Sequence, residues 1–246
     1  MSKPTPVHKP RPMIDMLMSI VLPSLILMKL SDDQYLGATW ALIIALIFPI
    51  GWGLFELLKY KKYNFIAILG LVSVLLTGGI GLLELDTKWL AIKEALIPAL
   101  IGIAVLISTR TKHPLVRTLL YNPTIIDVDT VHQRLVENNN EKPFEARLHK
   151  ANYLLSSTFA FSAVMNYILA KWIVTSPAGS AAFNEELGQL TIVSYPVIAL
   201  PSLIMMFAIF YYIWKTIHGL TGLTLDEILQ TPPDQKDTPD NKTKQE

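Results

Sequence analysis

Six stretches of the chain are apolar for roughly the length a helix needs to cross a bilayer, about 20 residues, and polar segments separate them. The first runs from about Met13 to Leu30, the second from about Leu36 to Leu58, and the third from about Phe65 to Leu83. The fourth covers about Trp89 to Ser108, the fifth about Ala151 to Val174, and the sixth about Thr191 to Trp214. No alternation with a period of two stands out. The pattern predicts an all-α fold, a bundle of six transmembrane helices over residues 13–230. Pro23, Pro196 and Pro201 fall inside the first and sixth spans and predict kinks there, which membrane helices accept when neighbours satisfy the freed carbonyls.

The longest polar stretch, residues 109–150, lies between the fourth and fifth spans. Within it Ile125, Val128, Val131, Leu135 and Val136 recur at helical spacing, so a short amphipathic helix is expected from about Thr124 to Val136. Asn122-Pro123 reads as its cap, and Asn138-Asn139-Asn140 as its end. Pro143 is expected to open the helix that becomes the fifth span. Thr175 to Leu190 reads as a polar loop without Lys or Arg. Thr224-Leu225-Asp226-Glu227 reads as a helix start, with a hydroxyl cap and acids in the first turn. Residues 1–12 form a basic, proline-rich segment. Residues 231–246 carry no large apolar side chain and are expected to be disordered.

Composition adds little to the fold but sets the orientation. The 246 residues have a net charge of +1 and no cysteine, which excludes disulfides, thiolate metal sites and a global field that would recruit nucleic acid. With the amino terminus inside, 17 of the 21 Lys and Arg residues fall on the inner side. Both termini, the 109–150 insert and the amphipathic helix are therefore expected on that side. The outer side holds Lys29, Lys88, Lys93 and Lys171.

Candidate chemistry is sparse. His8, His113, His132, His149 and His218 all lie outside the spans, which argues against a haem or proton relay at mid-depth. Asp127-Val128-Asp129 lacks a second acidic motif and reads as the first turn of the amphipathic helix. Gly78-Gly79-Ile80-Gly81 lacks the lysine of a phosphate loop. Gly70, Ser73, Thr77 and Gly81 instead form a small-residue face suited to close helix packing. Asp15 and Asn166 are candidate interhelical polar residues, and Glu56 pairs with Lys59 or Tyr60 one turn on. Glu84, Asp86, Lys93, Glu94 and Lys171 gather at the outer ends of the helices, with a Glu84–Lys93 pair expected across the turn. This cluster has two readings: ion pairing and snorkelling at the interface, or a polar cavity open to the outside. No catalytic, metal or cofactor constellation is expected.

These positions also carry a likeness. Ile14-Asp15, Lys29-Leu30, Gly78-Gly79, the segment Trp89-Leu90-Ala91-Ile92-Lys93, Pro114-Leu115-Val116-Arg117, Asn166-Tyr167 and Phe183-Asn184 resemble motifs of the intracellular septation protein A family of bacterial inner-membrane proteins. The likeness spans most of residues 13–190. The chain departs from it in a longer insert near Tyr121 to Pro143, in Glu94-Ala95 after the lysine, and in the tail beyond Thr224, which fits a sister family. The resemblance implies an inner-membrane protein of the bacterial envelope, so that the inner side expected for both termini from the Lys and Arg distribution is the cytoplasm. It implies a non-enzymatic role in division or wall synthesis through membrane or envelope partners or self-association. The rival is a small-solute transporter, which calls for a buried ionisable group or a pair of broken helices aimed at one site. Neither is evident from the sequence.

Overall fold

The computed structural model describes residues 12–60, 65–111, 114–121, 123 and 126–229. Among them the fold is all-helical, with one isolated antiparallel bridge between Ile126 and Leu229. The expected disordered tail and most of the basic amino-terminal segment lie outside the described residues, as does the Asp15 side chain.

In chain order the helices are α1 (Pro12–Met16), a π turn (Leu17–Val21), α2 (Leu22–Leu30), α3 (Gly37–Tyr60), α4 (Phe65–Leu82), α5 (Lys88–Ser108) and α6 (Leu115–Leu119). There follow α7 (Val128–Glu137), α8 (Glu141–Ile173), α9 (Ala181–Ser194), a second π turn (Tyr195–Ala199), α10 (Leu200–Thr221) and α11 (Leu225–Ile228). Four helical stretches are long and apolar enough to cross a membrane: Gly37–Phe55, Lys88–Ser108, Glu141–Ile173 and Ala181–Thr221. Leu17–Leu30 and Leu69–Leu82 are shorter apolar helices.

Three boundaries differ from the sequence reading. Most of the expected loop over Thr175–Leu190 is α9, because Ser180 accepts from the Phe183 N–H at 3.1 Å and Phe183, Leu187 and Leu190 are buried at helical spacing. The amphipathic helix begins at Val128 rather than near Thr124, because Asp127 caps it by accepting from the Thr130 N–H at 3.1 Å. α8 begins at Glu141, two residues before Pro143, which sits in the first turn where its missing N–H costs nothing.

The chain divides into two compact units. The first comprises Met1–Pro98 and Ser162–Pro201. Its core is built from Leu27, Leu42, Ile80, Leu90, Phe183 and Leu187 among others. Glycine permits its closest approaches. A Cβ on Gly188 would come within 2.9 Å of the Ser24 carbonyl oxygen, and one on Gly81 within 2.5 Å of Leu42 Cδ2 and 3.2 Å of Phe183 Cε1. Gly81 thus does pack a helix face, as its small-residue row predicts. Gly70 does not, since a Cβ there would meet nothing within 4 Å. Large apolar side chains such as Ile47 and Leu76 are exposed on the outside. Tyr35, Trp40, Trp89 and Trp172, also exposed, stand near the helix ends that border residues 31–36, 83–87 and 174–180. Amphipathic aromatic rings take this place at a membrane–water boundary.

The second unit comprises Ala99–Phe161 and Ser202–Glu246. Its core joins Val105, Val116, Leu135, Phe144, Leu148, Leu155 and Ile217. Asn152, fully buried on α8, ties this unit together. Its amide donates to the Val105 carbonyl at 2.6 Å and to Thr109 Oγ1 at 2.6 Å, and its oxygen accepts from the Val116 N–H at 2.9 Å. α7 ends with Asn139 at φ 56°, the left-handed residue that asparagine tolerates, while the Asn140 N–H reaches back to Leu135 O at 2.8 Å.

Candidate functional site

The most informative polar arrangement is in the first unit. Lys93 lies about 8 Å along α5 from its start at Lys88, in a helix otherwise largely apolar. Its side chain is 8% exposed, and its ammonium meets Glu94 Oε1 at 2.7 Å. It also donates to Thr77 Oγ1 at 2.7 Å and to Ser73 Oγ at 3.2 Å. An ammonium has three hydrogens, so Lys93 has spent them all. The row Ser73, Thr77, Gly81 is therefore mixed in role: its glycine packs a helix face, and its two hydroxyls hold a buried lysine.

The other members of the expected cluster go elsewhere. Lys93 pairs with Glu94 and not with Glu84, which corrects the expected Glu84–Lys93 bridge. Glu84 stands at the carboxyl end of α4 in the left-handed region at φ 52°, with the Leu85 N–H on Ile80 O at 3.0 Å and the Glu84 N–H on Gly81 O at 3.3 Å. This is a helix-capping turn that usually takes glycine. The Glu84 side chain lies against Gly179. Asp86 pairs with Lys88 at 3.0 Å, both well exposed. The backbone N–H of Lys88, then its ammonium, hold the Asp86 carboxyl below its usual range. Lys171 lies over the ring of Tyr167 on its own helix, 5.8 Å from the centroid. The expected outer cluster is thus dispersed, and of its members Lys93, which is buried, and Glu94, which is part-exposed, meet each other.

That site borders a cavity of about 290 Å³ in the same unit. Glu94, Thr77, Asn166, Ser19, Thr191 and Ser194 supply its polar lining, and Leu27, Leu42, Leu46, Val74, Leu187 and Leu190 its apolar walls. Asn166 is not the interhelical bridge expected: its amide donates within α8, to Ser162 O at 2.8 Å and Ser162 Oγ at 3.3 Å. The interhelical asparagine of this unit is Asn184, whose amide donates to Ala38 O at 2.7 Å.

Helix irregularities cluster around the same space. Ser19 belongs to the first π turn, and Ser194 immediately precedes the second. Pro23 and Pro49 line the cavity themselves. A proline has no N–H for the carbonyl four residues before it. Pro49 and Pro98 thereby leave Ala45 and Glu94, both lining residues, without their α-helical donors. Pro23, Pro196 and Pro201 are legible in the sequence as prolines within spans, whereas the π turns, Pro49 and Pro98, and their convergence on one space come from the structure.

The second unit holds a larger cavity, about 460 Å³, lined by Arg117, Tyr121, His132, Phe144, Glu145 and neighbours. Arg117 pairs with Glu145 there. Tyr121 packs on Phe144 with ring centroids 5.1 Å apart, and burial pushes its phenol up to about 12. This cavity is chiefly apolar, and its arginine is already matched by a carboxylate. Among the described residues no group of three or more acidic, His or Cys side chains is placed to hold a metal ion. Asp127, the first acid of the Asp127-Val128-Asp129 motif, is the cap of α7. Comparison with family models, curated proteins and solved structures gave no match.

Proposed function

We propose that this chain is a non-enzymatic, six-span membrane protein of the bacterial inner membrane, with cytoplasmic termini, that takes a small solute into the cavity beside Lys93 and Glu94. The observation that carries the reading is a buried lysine paired with a part-exposed glutamate beside a cavity of mixed polar and apolar lining, within a bundle of apolar helices. Charge inside a membrane domain is expensive and is retained chiefly where it meets a substrate, an ion or a partner. Two continuous helices carry a π turn at or beside their lining residues Ser19 and Ser194, and such local irregularities often accompany functional sites.

The second reading is an envelope scaffold acting through membrane or envelope partners or self-association in division or wall synthesis, and the likeness to septation protein A supports it. Native mass spectrometry of the whole protein released from mild detergent separates the two. The solute reading predicts a small bound mass that disappears in Glu94→Gln. The scaffold reading predicts a co-purifying protein, or a second copy of the chain, retained equally by both forms, and no small mass.

A further inference from the structure

The polar atoms around the first unit's cavity are almost all acceptors, and this gives the ligand a chemistry. We infer that the cavity selects a small organic ammonium, a donor-only polar head on a compact apolar body. The inference rests on the solute-binding reading and narrows it.

A hydroxyl has one hydrogen to give. Thr191 gives its hydrogen to Leu187 O at 3.0 Å, Ser194 to Leu190 O at 2.7 Å, and Thr77 to Ser73 O at 3.1 Å. What these three groups retain is lone pairs. The amide of Asn166 is spent on Ser162, which leaves its carbonyl oxygen. Glu94 is a carboxylate with only one oxygen engaged by Lys93. Ser19 is the remaining hydroxyl of the lining, able to give or accept. The one cation nearby, Lys93, has its three hydrogens committed.

A carboxylate, phosphate or sugar entering such a space would leave its own acceptors unpaired, and unpaired buried polar atoms are costly. An alkylammonium brings only N–H donors, and Leu27, Leu42, Leu46 and Leu187 face its hydrocarbon part. The volume of about 290 Å³ limits the ligand to a compact one. Lys93 and the ligand share one carboxylate.

The test is calorimetric titration, with thermal stability as a second readout, of the full chain in detergent. The probes are n-butylammonium chloride, butyltrimethylammonium chloride, 1-butanol and sodium butyrate. The expected result is saturable binding of n-butylammonium alone. Losing one charge-assisted hydrogen bond in Glu94→Gln should weaken it by about tenfold or more. Ser194→Ala, which removes one acceptor from the wall together with its intrahelical bond to Leu190 O, should weaken it several-fold in protein of unchanged thermal stability. Equal binding of the trimethylated probe would overturn the donor argument. Saturable binding of butyrate or butanol that Glu94→Gln abolishes would overturn the ammonium assignment while sustaining a solute site. No binding by any probe, with the protein folded, would overturn the ammonium assignment, while the solute reading stands or falls on the bound mass lost in Glu94→Gln.

Discussion

Replacing Asn152 with leucine is expected to destabilise the protein by about 2–3 kcal/mol, because it orphans the buried Val116 N–H and removes the amide's bonds to Val105 O and Thr109 Oγ1. The Val116 N–H loses its partner, whereas the Val105 carbonyl keeps the Ser108 and Thr109 hydroxyls, in a site where Asn152 and Val116 have no solvent exposure. Leucine fills the space, so the loss comes from unpaired backbone and not from a void. Asn166→Leu is the control. Its amide bonds stay within its own helix, and its removal should cost about 1 kcal/mol or less. Thermal unfolding of both variants in detergent, followed by size-exclusion chromatography after heating, checks the difference. Equal stability of the two would remove Asn152 from its role.

The second large effect is expected at Lys93. Lys93→Met leaves Glu94 without its counter-ion and Ser73 and Thr77 without their donor. Breaking a buried pair costs about 3–5 kcal/mol. The Glu94 side chain is 29% exposed, so water recovers part of this, and a loss of about 2–4 kcal/mol is expected. Lys88→Ala removes a bridge whose partners are 63% and 56% exposed, and such pairs contribute about 0–1 kcal/mol. The double change Lys93→Met with Glu94→Leu should recover stability relative to Lys93→Met alone, since no unpaired charge remains. Persistence of the full loss in the double variant would mean that Lys93 acts through something other than its pair.

The helices themselves were readable because long apolar runs, bounded by lysines, prolines and asparagines, have few other uses. Asn138-Asn139-Asn140 announced the end of α7 because asparagine accepts the left-handed conformation that Asn139 adopts. Partner choice was not readable. α4 is apolar nearly all round, so its sequence does not say which face meets which helix. Ser73 and Thr77 therefore looked like packing residues, when they also hold Lys93. Asn152 was missed because it follows a polar, charged stretch and looks like part of it. Its signal is only that an asparagine sits where the apolar run begins. Gly188 was missed because one glycine in a stretch read as loop carries no periodicity, yet it lets α9 approach the Ser24 carbonyl. Glu186, which accepts from both Thr175 and Ser176 and ties down the turn before α9, was hidden in the same presumed loop.

At the centre of the account is a solute-accessible, part-polar cavity among the apolar helices of the first unit. The chain contains no cysteine, so a single introduced thiol reports without background. The direct measurement places Ser194→Cys or Ile47→Cys in lipid nanodiscs and follows modification by 2-aminoethyl methanethiosulfonate, a small cationic reagent that acts through water. Ser194 lines the cavity, whereas Ile47 is exposed on the apolar outside of the bundle. The account predicts that the cysteine at 194 reacts and the one at 47 does not. A cysteine at 194 as inert as the one at 47, in protein of equal stability, would contradict it.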